Sequence, residues 1–462
     1  MAAPKAESEI PGAGDVFRTL NLPDKFMVGL DTMALTTSKS LAGFRDIPPG
    51  PHFLWVQQPE GVSRCGYWFV TSKTHRAVRV KEWDGYNETL GDVSSASRDS
   101  SLESVYSGLK PYALHNRSSS TGVHWSLGDP LPEWARAPER LWSALTSAIS
   151  LEALARFTGK KGVNEVFVDS TDVRRDEDGP VNAPQVDNAG SGLSFFFLQD
   201  FRDLQVLELG GNRSRGRSED TSARVEVLLS NNSNCSSSSS STSNPHDNNQ
   251  ITEREILAEL QLTFLTGTHL GNAACLEQWW NLLLKILLRA YRVAATRPQF
   301  AAGVIRTLHA QLLYTEHYFG TSSSSGPSGL NDKTTEEIRG TRNGPSSDRP
   351  IFQYKPHNRK KLYRALIEYK RRVGGLVSAL GNGATAEHRA VMEAFEELEV
   401  WLWRWNWDLR AEAAAEKVAT TAVNRGSGDE MMWNSEDEED EQPVVVELDE
   451  NGREVGLVSF RD

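Results

Sequence analysis

The chain has 462 residues, a net charge of −12 and only 38% hydrophobic residues, a balance that fits two or three folded domains diluted by disordered segments. No run of about 18 apolar residues occurs, so a transmembrane helix is excluded; Leu282 to Leu288 comes nearest, interrupted by Lys285 and followed by Arg289. Cys65, Cys235 and Cys275 are isolated, which excludes a zinc ribbon and argues against a disulfide framework.

Charge is unevenly placed. Eleven acidic side chains and no Lys or Arg fall between Asp429 and Glu450. The body outside this segment is therefore close to neutral, with no global positive field to attract a phosphate backbone.

In chain order, residues 1–14 are expected to be a disordered leader without an apolar signal core, which points to cytoplasm and nucleus. Residues 15–209 read as a β-rich, sandwich-like domain. Asp15 to Leu22 is a first strand. Phe26, Val28 and Leu30 alternate with period two and suit one buried strand face. A loop and the tight turn Pro48-Pro49-Gly50 follow, in which proline presets φ and glycine supplies a positive φ. Read by itself, this stretch is a structural β hairpin. Its second strand points Phe53 and Trp55 one way and Leu54 and Val56 the other, so it is covered on both faces. Cys65 to Val70 and Ala77 to Val80, ending at Trp83, are further strands. Leu141, Trp142, Leu145, Ile149 and Leu151 have helical spacing. A polar, acidic loop is expected from about Gly159 to Gly192, and apolar Leu193 to Leu209 closes the domain.

Residues 210–250 read as a Ser/Gly/Arg-rich linker with too little apolar surface to offset chain entropy. Residues 251–411 read as an all-α domain with an insertion at 320–350, giving α+β overall. Thr252 and Glu255 form a capping box. Five helical faces follow: Ile256, Leu260 and Phe264; Leu276, Trp279, Leu283, Ile286 and Ala290; Val304, Leu308 and Leu312 after Pro298; Leu362, Leu366, Tyr369 and Val373 after Pro356; and Val391, Phe395, Leu398, Leu402 and Trp405. Trp401, Trp403, Trp405 and Trp407 alternate. With the last helix reaching about Trp405, the outward tryptophans need a partner surface, either the first domain or another protein. Residues 412–462 form an acidic tail.

Catalytic motifs are lacking: no phosphate-binding loop, dinucleotide fingerprint, nucleophile elbow or zinc-protease helix occurs. Leu30-Asp31-Thr32 resembles the start of an aspartic-protease motif, but Met33 stands where Gly or Ser is usual and no second copy exists. His52 reads as a packed imidazole, since no carboxylate or cysteine is tied to it by spacing. Arg213, Arg215 and Arg217 in the linker, and the helical stripe Arg359-Lys360-Lys361, Arg364 and Lys370-Arg371-Arg372, read as solvated segments. The alternatives for them are RNA, an acidic partner or a nuclear-import signal.

The motif Gly29-Leu30-Asp31, then Gly43-Phe44-Arg45-Asp46-Ile47-Pro48-Pro49-Gly50-Pro51-His52-Phe53, resembles the AAR-two family, the cistron-splicing factors. Further matches run in the same order: Arg64-Cys65-Gly66-Tyr67, Trp83, Pro111-Tyr112-Ala113, Trp142 to Ser150 with the Trp one place closer than usual, Glu259 to Leu265, Trp280 to Leu284, Trp405 to Asp408, and Pro443 to Leu448. The insertions at 210–250 and 320–350 depart from the pattern and look like those of a fungal-type member. The resemblance implies a β-rich domain followed by a helical one, and no enzyme, cofactor or metal. It implies a factor for pre-mRNA splicing in U5 small nuclear ribonucleoprotein (U5 snRNP) assembly. Such a factor binds the large U5 scaffold protein at its RNase H-like and Jab/MPN-like domains, keeps the RNA helicase from docking, and is displaced through phosphorylation. On this reading the protein is a monomer before binding, without direct nucleic-acid or membrane contact. The alternative is an RNA-binding accessory protein that uses the basic linker and helix segments.

In the tail, Val444, Val445 and Val446 have high β propensity, and with Glu447 and Leu448 they suit a strand added to a partner's sheet edge. Alone, the segment is expected to be disordered. Ser435, followed by Glu436, Asp437 and Glu438, suits an acid-directed kinase, and a phosphate there would repel an acidic surface beside the strand.

Overall fold

Short aromatic and β-branched runs between turns build the first part of the chain. The computed structural model describes residues 14–37, 41–59, 64–93, 106–112, 132–135, 137–159, 164–170, 193–196, 220–230, 251–319, 351–352, 357–410, 446–448 and 454–457. Its strands are β1 (Asp15–Leu20), β2 (Met27–Leu30), β3 (Met33–Thr36), β4 (Gly43–Ile47), β5 (Gly50–Gln57), β6 (Arg64–Thr71), β7 (Val78–Asp84), β8 (Thr89–Asp92), β9 (Lys110–Pro111) and β10 (Glu165–Asp169). They form two five-stranded sheets, in the orders β8-β7-β1-β4-β9 and β10-β6-β5-β2-β3.

The alternation along β5 and β6 divides two cores. Leu54 and Val56, with Tyr67 and Phe69, fill the space between the sheets, where Phe69 lies 5.3 Å from Phe17 between ring centroids. Phe53, Trp55 and Trp68 face the other way and belong to the core of the helices. The second sheet is thus covered on both faces, as the pattern of β5 predicts.

Three expectations for this half are corrected. The Pro48-Pro49-Gly50 turn does not close a hairpin. Residues 43–47, expected as loop, are strand β4 and pair with β1, whereas β5 pairs with β2 and β6. The turn therefore carries the chain from one sheet to the other, with Gly50 at φ 142°. The expected helix through Leu141 and Leu151 is two helices, α1 (Pro138–Leu145) and α2 (Leu151–Thr158). Ser150 ends the run because its side chain accepts from Ala153 N–H and caps α2. The acidic loop after Gly159 contains β10, whose Val166 and Val168 are buried against β6.

The second half is helical: α3 (Ser222–Ser230), α4 (Glu253–Leu270), α5 (Ala273–Asn281), α6 (Pro298–Phe319), α7 (Asn358–Leu380) and α8 (Ala386–Leu402). Helix α3 lies inside the stretch expected to be linker. Its Val225 and Leu229 are buried, and the preceding Thr221 hydroxyl donates to Ile286 O at 2.6 Å. The face expected as one helix from Leu276 to Ala290 leaves α5 for a π segment at Leu282–Ile286 and a 3₁₀ turn at Leu287–Arg289. The widened turn keeps Leu282, Leu283 and Ile286 all inside. The capping box at Thr252 and Glu255 forms as expected.

Helix α4 is the axis of the molecule. Fourteen of its eighteen residues are buried, so it has no solvent face, and each polar group must find a partner. Gln261 accepts from Ala148 N–H at 2.9 Å, Glu259 accepts from Phe196 N–H and Gln278, and Thr266 accepts from Trp68 Nε1 at 2.9 Å. Arg64 of β6 donates to His269 O at 2.7 Å. Through α4 the sheet and the helices share one core. Among the described residues, no helix is long and apolar enough to cross a membrane.

Candidate functional site

The stretch richest in motifs, Gly29-Leu30-Asp31 and Ile47 to Phe53, folds into a buried polar knot. Gly29 pairs with Trp55 across β2 and β5. A Cβ on Gly29 would come within 2.0 Å of the Trp55 indole, so the indole can lie over the strand only because no side chain is there. Two residues on, Asp31 sits in the turn between β2 and β3 at φ 56°. Asp31 N–H donates to Phe53 O at 2.8 Å, and Asp31 Oδ1 accepts from Phe53 N–H at 2.9 Å. The carboxylate thus takes the place of a backbone carbonyl in the ladder.

Asp31 Oδ2 meets His52 Nδ1 at 2.7 Å and accepts from Tyr112 Oη at 2.6 Å. The other ring nitrogen of His52, Nε2, donates to Pro48 O at 2.8 Å, and Thr71 Oγ1 donates to the same carbonyl at 2.5 Å. Both imidazole nitrogens face acceptors, so both carry protons and the ring is a cation beside the Asp31 carboxylate. Burial pulls the His52 pKa down, but the Asp31 charge, its hydrogen bond and the Pro48 carbonyl outweigh burial and the nearby Arg79, so it stands above the usual histidine value. Burial, then the Asp31 charge, pushes Tyr112 far up, so its hydroxyl stays a donor.

The carboxylate absent from the sequence spacing around His52 is Asp31, brought there by the β2–β5 pairing. Neither group is placed to react. Asp31 is 0% and His52 2% exposed, and both His52 nitrogens are occupied. No second carboxylate stands against Asp31 among its partners. The knot locks the crossover turn between the sheets. Tyr112 joins it from beyond β9, a role that only the resemblance, not the residue pattern, singled out.

Other chemistry-bearing groups are also buried. Burial pushes the Cys65 thiol up to about 11, far from a reactive thiolate. Burial, aided at His269 by Arg64, pulls His269 and His309 down to about 3. Among the described residues no cluster of His, Cys, Asp and Glu could hold a metal ion.

The basic stripe divides on α7. Lys370 pairs with Glu399, and Arg371 and Arg372 pair with Glu368. Lys360, Lys361 and Arg364 are exposed and meet no carboxylate among the described residues. Residues 213–217 lie outside the described residues. Of the four alternating tryptophans, Trp401, Trp405 and Trp407 are buried, because Asn406 at φ 56° turns the chain and folds Trp407 back. Only Trp403 faces outward, 52% exposed beside Val400.

In the tail, Val446–Leu448 (β11) pairs antiparallel with Glu454–Leu457 (β12). The segment expected to be disordered alone has a partner within its own chain. The Asn451-Gly452 dipeptide, which favours a chain reversal, was the signal for it. Val444, Val445 and Ser435 lie outside the described residues.

Residues 13–159 match the AAR2 N-terminal domain, and residues 208–410 match the AAR2 C-terminal repeat region. No curated protein matches the chain. The two matched regions follow one another in order and cover the two-sheet half and the helical half described above. The chain is a member of the AAR2 (AAR-two) family.

Proposed function

We propose that the protein is a U5 snRNP assembly factor in pre-mRNA splicing that works by binding protein, not by catalysis. The supporting observation is the single core joining the sheet to the helices through α4, in a member of a family with that role. A rigid two-part body suits the presentation of surfaces. The most motif-dense stretch holds its ionisable groups sealed and mutually satisfied, as a structural element does.

The partner on this reading is the large U5 scaffold protein, and occupancy of its surface excludes the RNA helicase. The tail segment Val444 to Leu448 would add a strand to the scaffold. The extended conformation of Val446–Leu448 suits this, because backbone hydrogen bonds then supply affinity. Phosphorylation at Ser435 would loosen that contact by like-charge repulsion, and the factor would act in both cytoplasm and nucleus.

Co-precipitation with the scaffold's C-terminal half, with and without the helicase, tests the reading. Capture of the scaffold that is lost on adding helicase is the expected result. A stable complex holding both proteins together sinks the exclusion mechanism, and no capture at all sinks the partner. Replacing Val445 by proline, which removes a ladder donor, should weaken capture; unchanged capture removes the tail strand from the mechanism.

A further inference from the structure

We propose that the acidic run Glu436 to Glu441 folds back onto the face of α7 formed by Lys360, Lys361 and Arg364, covering it within the same molecule. The face comes first. Residues 360, 361 and 364 have the spacing that brings side chains together on one helix surface, about 6 Å along the axis. All three side chains are exposed without a carboxylate among the described residues, while the same stripe further along α7 is neutralised by Glu368 and Glu399. Next to them Arg359 is partly buried, and burial lowers its pKa with no acid to offset it. An unneutralised cationic patch on an otherwise near-neutral body has a defined counterpart.

That counterpart is on the same chain. Glu436-Asp437-Glu438-Glu439-Asp440-Glu441 is an unbroken run of acids. The chain sets out towards it from the patch itself. The Tyr363 hydroxyl, between Lys361 and Arg364 in sequence, donates to Asp408 O at 2.9 Å, and its ring lies 5.1 Å from that of Trp407. Arg410 then pairs with Glu399 at 2.8 Å. From there residues 411–435 reach about 37 Å if helical and about 85 Å if extended. Either span returns the acids to α7. Attachment by a linker of this length puts them at an effective concentration in about the millimolar range, which favours them over a free polyanion or a second copy. The covered patch would be withheld from phosphate backbones, so the cations of α7 need not make the protein a nucleic-acid binder. This inference does not depend on the U5 reading, since it concerns the free protein.

Zero-length carbodiimide cross-linking of the full-length protein, mixed in equal parts with an isotope-labelled copy and read by mass spectrometry, tests it. Links from Lys360 or Lys361 to residues 436–441 are expected at low salt, within single copies. They should vanish at about 0.5 M salt, where the screening length falls to about 4 Å. Arg364→Glu keeps both amines but reverses one charge, and should cut the links several-fold; adding Glu439→Arg should restore part of them. Absence of the links at low salt overturns the proposal, as do links indifferent to Arg364→Glu. Links that join labelled to unlabelled copies assign the face to a second molecule and overturn it equally.

Discussion

Replacing Asp31 by alanine should destabilise the fold far more than its place in a surface-to-surface turn suggests. The substitution leaves three buried donors without their acceptor: Phe53 N–H, Tyr112 Oη–H and His52 Nδ1–H. Each stranded donor costs about 1–3 kcal/mol. The His52 cation can shed its proton and the tyrosine hydroxyl can rotate, so the sum is an upper bound. The loss expected for one partner of a buried pair is about 3–5 kcal/mol. At about 2–4 °C per kcal/mol for a domain of this size, the melting temperature falls by about 10 °C. Urea unfolding followed by tryptophan fluorescence and far-UV circular dichroism measures it. The same pair has a pH signature. His52 titrates near 6.5 in the unfolded chain and higher in the folded one. Its contribution is therefore complete below about pH 6.5 and is lost as pH rises through the folded value. Asp31→Ala should abolish that slope. A loss below about 1 kcal/mol, or a wild-type stability that rises through this window because of His52, refutes the account of the knot.

Gly29→Ala should cost about 1–3 kcal/mol by overpacking against Trp55, and Trp55→Leu in the same chain should recover part of it; additive losses in a double-mutant cycle count against the close-approach argument. Glu399→Gln should cost about 2 kcal/mol, because Glu399 is the shared acceptor of Lys370 and Arg410. Burial raises the Glu399 pKa, but those two cations outweigh it and hold it below the usual value, so its contribution is present at neutral pH and fades as pH falls below about 4.3; acid titration of both proteins should converge. Trp68→Ala should cost about 3–5 kcal/mol and lower the transitions of sheet and helices together in calorimetry, since Trp68 joins them through Thr266; a separate, unshifted helical transition would contradict the common core.

The parts of the fold legible in the sequence were those whose signal is local and repeated. The alternation of Phe53, Leu54, Trp55 and Val56 gave a strand with two buried faces, and the spacings after Thr252 gave the long helices, because burial acts on periods of two and of about four alike. The sequence reading went astray where a short signal competed with a louder neighbour. Val166 and Val168 alternate in β10, but the acidic residues after Asp169 made the region read as loop. Ser150 is a good helix cap, but the apolar spacing ran across it. The polar knot was legible only in pieces. Asp31 and His52 are 21 residues apart, and Tyr112 is 81 from Asp31. No periodicity links them, because the strand pairing that joins them is itself a long-range event. Local pattern reports which face a residue occupies. It does not report which two faces meet, and a buried ion pair is made where faces meet. That is why a motif can be dense in ionisable groups and still be structural: the test is whether each group's hydrogen-bonding capacity is already filled, as both nitrogens of His52 are here, and that count can be taken only after the strands have paired.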